Sequence, residues 1–281
     1  MKICVTGAAG RLGRASCEAV LAAGHELVAT DITTHSDLSY RVNIADLRIR
    51  EPIYALLAGC DALIHLGNHP GLGAHGSQTV YTENCAMNIN AFQAALELGI
   101  SRIVFASSIQ VSGGARRYQE DDGKPSALPY LPLDGDLPMI PGNAYAASKV
   151  AGEELLKTIS RQDPEAHCVA LRFPLIAGSG WPRRGWLDPR WTMLDEAFSW
   201  IQGESAASAA VLAAERGLPG FHSYLPACPH VSLDMPVPEI LATWFNGVPH
   251  KRPLEGATGL VDCSAIERDL GWTPTAPPPR E

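Results

Sequence analysis

Nowhere in these 281 residues does an apolar run approach the roughly twenty needed to cross a membrane. Strand-like sequence starts at Lys2, leaving no room for a signal-peptide layout. Positive charge is scarce: 22 Lys and Arg against 30 Asp and Glu give a formal charge of -8. That balance argues against nucleic acid or an anionic membrane surface as a partner. There is no C-x-x-C, and the cysteines at 4, 17, 60, 85, 168, 228 and 263 are scattered and odd in number. A disulfide framework and a zinc site are thereby disfavoured, and reduced thiols in a cytoplasm are expected. The nine histidines show neither H-E-x-x-H nor H-x-x-E-H, so no metal is expected. No internal repeat is visible. With 46% hydrophobic residues the chain can bury the core of one large α/β domain, or of one domain with a small appendage.

The first stretch carries a device. Ile3-Cys4-Val5 reads as a buried strand, Gly7, Gly10 and Gly13 recur at three-residue spacing, and helical periodicity runs on through Leu12, Cys17, Val20 and Leu21. A strand, a glycine turn and a helix N-terminus together present free N–H groups and a helix dipole to an anion, and glycine lets the backbone come close. The spacing is G-x-x-G-x-x-G rather than the common dinucleotide fingerprint. A second strand, Glu26 to Thr30, ends at Asp31, placed to accept hydrogen bonds from adenosine ribose hydroxyls and to repel a 2′-phosphate. Asp31 therefore favours NAD over NADP; read as a turn residue, it carries no such role. Asp46-Leu47 follows a third strand, and Asp46 either meets an adenine amino group or caps a helix running to Leu57. Asn43 competes for the same role.

Asp61 to Gly67 is a nearly unbroken apolar strand, as a buried parallel strand should be. Gly67 ends it where backbone passes close beneath a cofactor, and His65 and His69 lie nearby. Val80 to Leu98 reads as an amphipathic helix with Cys85, Ile89, Phe92, Ala95 and Leu96 on its apolar face. The fifth strand delivers Ser107 and Ser108 to the carboxyl edge, where open α/β sheets place their ligands. Ser112 to Gly142 is a proline-rich loop of the length used for lids. Asn143 then opens a helix on which Tyr145 and Lys149 share a face. A sixth strand ends at Phe173-Pro174; beyond it lie an aromatic, basic stretch at 181–191, a helical reading for 192–216, and a short strand within 220–229. This last part lacks a regular β-α rhythm and reads as a smaller, substrate-covering region.

Tyrosine's ordinary pKa near 10 is too high for a base at neutral pH. A lysine ammonium one turn away, helped by a positive nicotinamide, favours the phenolate. Ser108 would hold the substrate oxygen beside the Tyr145 hydroxyl, and Lys149 can bond the nicotinamide ribose.

These motifs, in this order, resemble the extended short-chain dehydrogenase/reductases, and more narrowly the NAD-dependent epimerase/dehydratase group. The matching residues are Thr6 to Gly13, Asp31, Asp46-Leu47, His65-Leu66-Gly67, Asn84, Phe105 to Ser108, Tyr145 to Lys149 and Arg172-Phe173-Pro174. The ending, Leu260 to Ser264 and Leu270 to Pro274, is similar too. The resemblance implies a Rossmann-type, doubly wound parallel sheet over residues 1–178 with a small C-terminal substrate-binding region, 179–281, interleaved with it. It implies a catalytic Ser108, Tyr145 and Lys149. The implied NAD contacts are Gly7, Ala9, Gly10, Arg11, Leu12 and Gly13 in the loop; Asp31, Asp46, Leu47, Leu66, Gly67 and Asn68 along the sheet edge; and Ala106, Tyr145, Lys149 and Pro174. His69, Ser107, Gln110 and Arg183 are the substrate candidates. A homodimer pairing the helices near 80–98 and 145–161 is implied as well.

The departures narrow the chemistry. Ile109-Gln110 stands where similar sugar dehydratases carry an Asp-Glu pair, which disfavours elimination. The small substrate lobe suits a compact sugar better than a full nucleotide-sugar. The expectation is a dehydrogenase moving a hydride between NAD and a hydroxyl carbon of a sugar or sugar acid. The alternatives are an epimerase with tightly held NAD and a cofactor-binding sensor without chemistry.

Overall fold

Ile3, Cys4 and Val5 are buried at the centre of a sheet, as their apolar, β-favouring side chains require. In the computed structural model, which describes residues 1–71, 73, 75–113, 128–177 and 194–275, they belong to β1 (Lys2–Thr6). The glycine turn leads into α1 (Arg11–Ala22), then β2 (Glu26–Asp31), β3 (Val42–Ile44), α2 (Arg50–Leu57), β4 (Ala62–His65), α3 (Ser77–Glu97) and β5 (Arg102–Ser108). After the lid-length loop come α4 (Ala144–Gln162), β6 (His167–Phe173), β7 (Leu175–Ala177), β8 (Trp200–Gln202), α5 (Gly203–Arg216) and β9 (Gly220–Tyr224). Two short helices, α6 (Val237–Trp244) and α7 (Ser264–Leu270), complete the described elements.

Seven strands form one sheet in the order β3-β2-β1-β4-β5-β6-β9, every neighbouring pair parallel. The order reverses between β1 and β4, the place where doubly wound sheets open a crevice for a ligand. On one face α1, α5 and α7 cover Ile3, Val5, Ile64 and Val169. On the other, α2, α3 and α4 cover Cys4, Leu63, Ile103 and Cys168. A third cluster gathers Ile109, Leu131 and Leu133 with Phe198, Leu225, Ile240 and Leu260. That cluster is the core of the small lobe, and it draws on chain from both sides of residue 178.

The chain after 178 keeps more β-α rhythm than its text shows. The helical reading of 192–216 is correct only from Gly203, because a 3-10 turn at Leu194–Glu196 and strand β8 come first. The alanine-rich α5 then packs against α1, and β9 extends the main sheet beside β6. Alanine carries too little bulk to mark a face by periodicity.

Helix α3 turns differently from its apolar pattern. Its buried face runs through Val80, Asn84, Asn88, Ala91, Phe92 and Ala95, while Ile89 is 41% exposed and Cys85 only part-buried. Asn84 goes inside because the Ser148 hydroxyl and the His69 carbonyl accept from its amide, and the Asn88 carbonyl oxygen bonds His65 and Asn68 there, though Asn88 Nδ2 has no partner among the described residues. Leu21 on α1 is likewise exposed, and Gly13 and Ser16 take the inner face. No helix among the described residues is long and apolar enough to cross a membrane.

Candidate active site

The glycine turn packs against itself. Gly7 adopts φ +68°, and a Cβ on Gly13 would stand 1.9 Å from the Gly7 carbonyl oxygen. Only glycine lets α1 begin this close to β1. Gly10 caps α1 without a side chain, so the N–H groups of Arg11, Leu12 and Gly13 have no acceptor within the helix. They open into a cavity of about 690 Å³, lined by Gly7, Gly10, Arg11, Leu12 and Gly13 at one end and by Ser108, Tyr145 and Glu196 at the other. The shape and donor set fit a dinucleotide: free amides for phosphates, and Asp31 on the cavity wall at the end of β2 for a ribose.

Most of the expected cofactor contacts share that wall. Leu47, Leu66, Gly67 and Asn68 line its middle, and Ala106, Lys149 and Pro174 its far part. Two do not reach it directly. Ala9 lies beneath the loop, donating its N–H to the Asp31 carboxylate at 3.0 Å, and so helps aim that acid. Asp46 is turned into a bidentate pair with Arg48, closest approach 2.7 Å, and that guanidinium also reaches Glu83. The pairing holds the Asp46 carboxyl below the usual carboxylate range. Asp46 caps no helix, since Ile49 occupies the N-cap of α2. Asn43 instead donates to the Ala29 carbonyl between β2 and β3.

Beneath the cavity floor runs a chain of neutral amides and an imidazole. Thr6 Oγ1 bonds His65 Nδ1 at 2.8 Å, His65 Nε2 bonds Asn88 Oδ1 at 3.0 Å, and Asn68 Nδ2 donates to that same oxygen. Burial, with Lys149 nearby, pushes His65 down to about 3, so the ring is neutral and structural. Asn68 in turn accepts from Lys149 Nζ at 2.8 Å, and the Ala106 carbonyl accepts from it at 2.7 Å. The ammonium sits 4.7 Å from the Phe105 ring centre and 5.7 Å from that of Tyr145. Burial lowers Lys149 to about 7.

Helix α4 carries both Tyr145 and Lys149 because Asn143 caps it, accepting the Ala146 N–H at 2.9 Å. Gly152 lets the helix lie directly on β5: a Cβ there would meet the Phe105 ring at 2.6 Å. Tyr145 is part-exposed to the cavity. Contrary to the lowering expected from Lys149, burial raises its phenol to about 12, with a hydrogen bond from Ser108 lowering it and the charge of Glu196 raising it further. Ser108, Tyr145 and Lys149 are thus assembled at one end of the cavity.

The substrate candidates divide. Gln110 and His69 line the cavity, but His69 Nε2 is taken by Glu83 at 2.7 Å. Ser107 lines the cavity too, but its hydroxyl donates to Glu153 at 2.6 Å, beside that acid's buried pair with Arg172. Arg183, its neighbour Arg184 and the acidic cluster at 120–122 lie outside the described residues.

One residue in the cavity went unread in the sequence. Glu196 is 3% exposed and ends the 3-10 turn Leu194–Glu196; Gln110 Nε2 approaches its Oε1 at 3.4 Å. Asn143 Nδ2 donates to the other end of Gln110, also at 3.4 Å. Burial lifts the Glu196 carboxyl to about 8. The next two residues, Ala197 and Phe198, are buried with φ of +50° and +55°. Left-handed backbone at non-glycine residues costs on the order of 1–3 kcal/mol each and persists only where surroundings impose it. One of two adjacent acids, Asp195 and Glu196, in a stretch that reads as helical, Glu196 carries no local mark that sets it apart.

A family model for the NAD dependent epimerase/dehydratase family matches residues 3–190. The chain belongs to that family. Among its curated relatives, an L-arabinose 1-dehydrogenase (NAD(P)(+)) from Haloferax volcanii is 34% identical over 160 residues, covering 55% of this chain and 59% of that one. A 2-alkyl-3-oxoalkanoate reductase from Stenotrophomonas maltophilia is 32% identical over 185 residues, 64% of this chain and 52% of the relative. The chain thus spans between half and three-fifths of the curated relatives' length. A solved UDP-glucose 4-epimerase from Bifidobacterium longum, in complex with NAD+ and UDP, superposes with a TM-score of 0.71 at 17% identity, over 99% of this chain and 94% of that one. That likeness is one of fold.

Proposed function

We propose that this chain is an NAD-dependent dehydrogenase that oxidises a hydroxyl carbon of a sugar or sugar-acid-like substrate. The observation that carries the reading is the meeting of Ser108, Tyr145 and Lys149 in one cavity that begins at the glycine turn. The loop amides and Asp31 would hold the dinucleotide, which, when bound, supplies the hydride acceptor and a positive ring. Tyr145 takes the substrate's hydroxyl proton on its phenolate oxygen as the carbon loses hydride. The Ser108 hydroxyl hydrogen-bonds the substrate oxygen and keeps it beside the phenol. Lys149, fixed by Asn68 and the Ala106 carbonyl, supplies the cation that favours phenolate over phenol. In the reverse direction the same phenol returns the proton.

Stoichiometric NADH from NAD and an aldose or uronate tests the reading. An epimerase working with the same groups would interconvert sugars without net NADH, and a cofactor-binding sensor would bind NAD and turn over nothing. NADH accumulation overturns both rivals, and its absence overturns the proposal.

Three further features belong to the same proposal. Residues 1–178 carry the cofactor and 179–281 shape the substrate end. Two copies pair through α3 and α4, where a groove lined by Cys85, Ala86, Ile89, Ala151 and Leu155 runs beside the exposed Tyr81. All seven cysteines are free thiols, which supports a reducing cytoplasm.

A further inference from the structure

Several features outside the hydride-transfer machinery invite a role, and Glu196 is the one the geometry takes furthest. Its carboxyl is buried, lines the same cavity as Ser108 and Tyr145, and lies close enough for its charge to be felt by the phenol. It comes from the small lobe, whereas every other chemical group at this end comes from the main sheet and α4. Its position is held from two sides. Gln110 Nε2 points at Oε1, and Asn143, the cap of the helix that carries Tyr145, steadies Gln110. Behind it, Ser199 donates to the Glu196 carbonyl through both its N–H and its hydroxyl, at 3.0 and 2.7 Å. Two consecutive left-handed residues, Ala197 and Phe198, lock the backbone that follows. A buried acid held this firmly beside a proton-transfer site is placed to recognise what occupies it.

We propose that Glu196 is a specificity residue: it engages a hydroxyl beside the reacting carbon, and it selects neutral polyhydroxy substrates, aldoses, over those carrying a carboxylate. This rests on the dehydrogenase reading and narrows its substrate class. A carboxyl accepts or donates one hydrogen bond to a sugar hydroxyl in either protonation state. Above about pH 8, where Glu196 ionises, a substrate carboxylate at the same spot meets a like charge in a low-dielectric cavity, or must force Glu196 to take a proton back. Lifting of the Glu196 carboxyl by burial keeps a proton available to it near neutral pH, in keeping with hydrogen bonding to an uncharged partner.

The experiment compares D-galactose, its 2-deoxy analogue and D-galacturonate as NADH-forming substrates, beside L-arabinose, for the wild-type chain, Glu196→Gln and Glu196→Ala. Gln keeps the shape and the Gln110 contact, so it separates charge from packing. Assayed at about pH 9, where Glu196 is ionised, the proposal expects wild type to prefer the aldoses over galacturonate. At that pH Glu196→Gln should raise the galacturonate-to-galactose ratio of kcat/KM by about tenfold, the cost of returning a proton to the carboxyl about one pH unit above its folded value. Glu196→Ala should abolish the preference for galactose over its 2-deoxy analogue. A wild-type preference for galacturonate overturns the proposal, as do ratios that neither variant moves while NADH still forms from aldoses; the dehydrogenase reading would survive the latter. NADH from none of the sugars overturns that reading and this one with it.

Discussion

Replacing Arg172 by leucine tests whether the substrate edge of the sheet is held by a buried ion pair. Arg172 is 3% exposed and Glu153 is fully buried. The guanidinium makes two bonds to Glu153, at 3.0 and 2.8 Å, and two more to the carbonyls of Gly135 and Leu137, at 2.9 and 2.7 Å. Arg172→Leu leaves Glu153 with Ser107 alone and the Leu137 carbonyl without its donor; Gly135 keeps the Ser223 hydroxyl. Stranding one member of a buried pair costs about 3–5 kcal/mol, and an orphaned carbonyl adds about 1–3 kcal/mol. A loss of about 4–8 kcal/mol is expected, a large share of the roughly 5–15 kcal/mol that holds a domain folded. Urea unfolding followed by circular dichroism reads it. The double variant Arg172→Leu, Glu153→Leu should regain a substantial part, because no charge is then left alone in the interior. A single variant within about 1 kcal/mol of wild type, or a double variant no better than the single, would refute the reasoning.

Other consequences are equally open to measurement. Asp31→Ala should weaken NAD binding and narrow the preference over NADP, read as the ratio of kcat/KM for the two cofactors; an unchanged ratio would remove Asp31 from cofactor choice. Gly13→Ala drives a Cβ into the Gly7 carbonyl, so NAD titration by intrinsic fluorescence should show binding lost or cut by orders of magnitude. Stability should depend on pH through Glu196: from about pH 4.5 to 7 the unfolded carboxyl has lost its proton while the folded one, near 8, retains it, so stability falls as pH rises. His65, near 3 when folded against 6.5 ordinarily, works in the opposite sense up to about pH 6.5 and offsets much of that fall, and Lys149, near 7 when folded against 10.5 ordinarily, does so above pH 7. Glu196→Gln should therefore flatten the fall between pH 4.5 and 7, by at most about 1.4 kcal/mol per pH unit, and melting curves that keep the wild-type slope would contradict the assignment.

Local pattern carried the glycine turn and the Tyr145–Lys149 pair, because each depends on neighbours a few residues away. Gly7, Gly10 and Gly13 announce a close helix start, and Asn143 announces the helix that follows. What escaped depends on contacts across the fold. Asn84 and Asn88 read as polar interruptions of an apolar face, and their burial makes sense only once Ser148, His65 and Asn68 are beside them. Ser107, a substrate candidate beside the catalytic Ser108, lines the same cavity, yet strand alternation turns its hydroxyl to Glu153. Arg172 stood in the family pattern, but its partner lies 19 residues away on another element. Glu196 fell within a stretch read as helix, and only the folding of this segment over the sheet edge brings it to the cavity of Tyr145.

The most direct test of the account is Tyr145→Phe, assayed for NADH formation from the aldose the wild-type chain turns over best, with NAD affinity measured on the same preparation. Removing a positioned acid/base group should lower kcat by about 10²–10⁴-fold while NAD binding stays within a few-fold, because the loop amides and Asp31 are untouched. A Tyr145→Phe enzyme that turns over within a few-fold of wild type would contradict the mechanism.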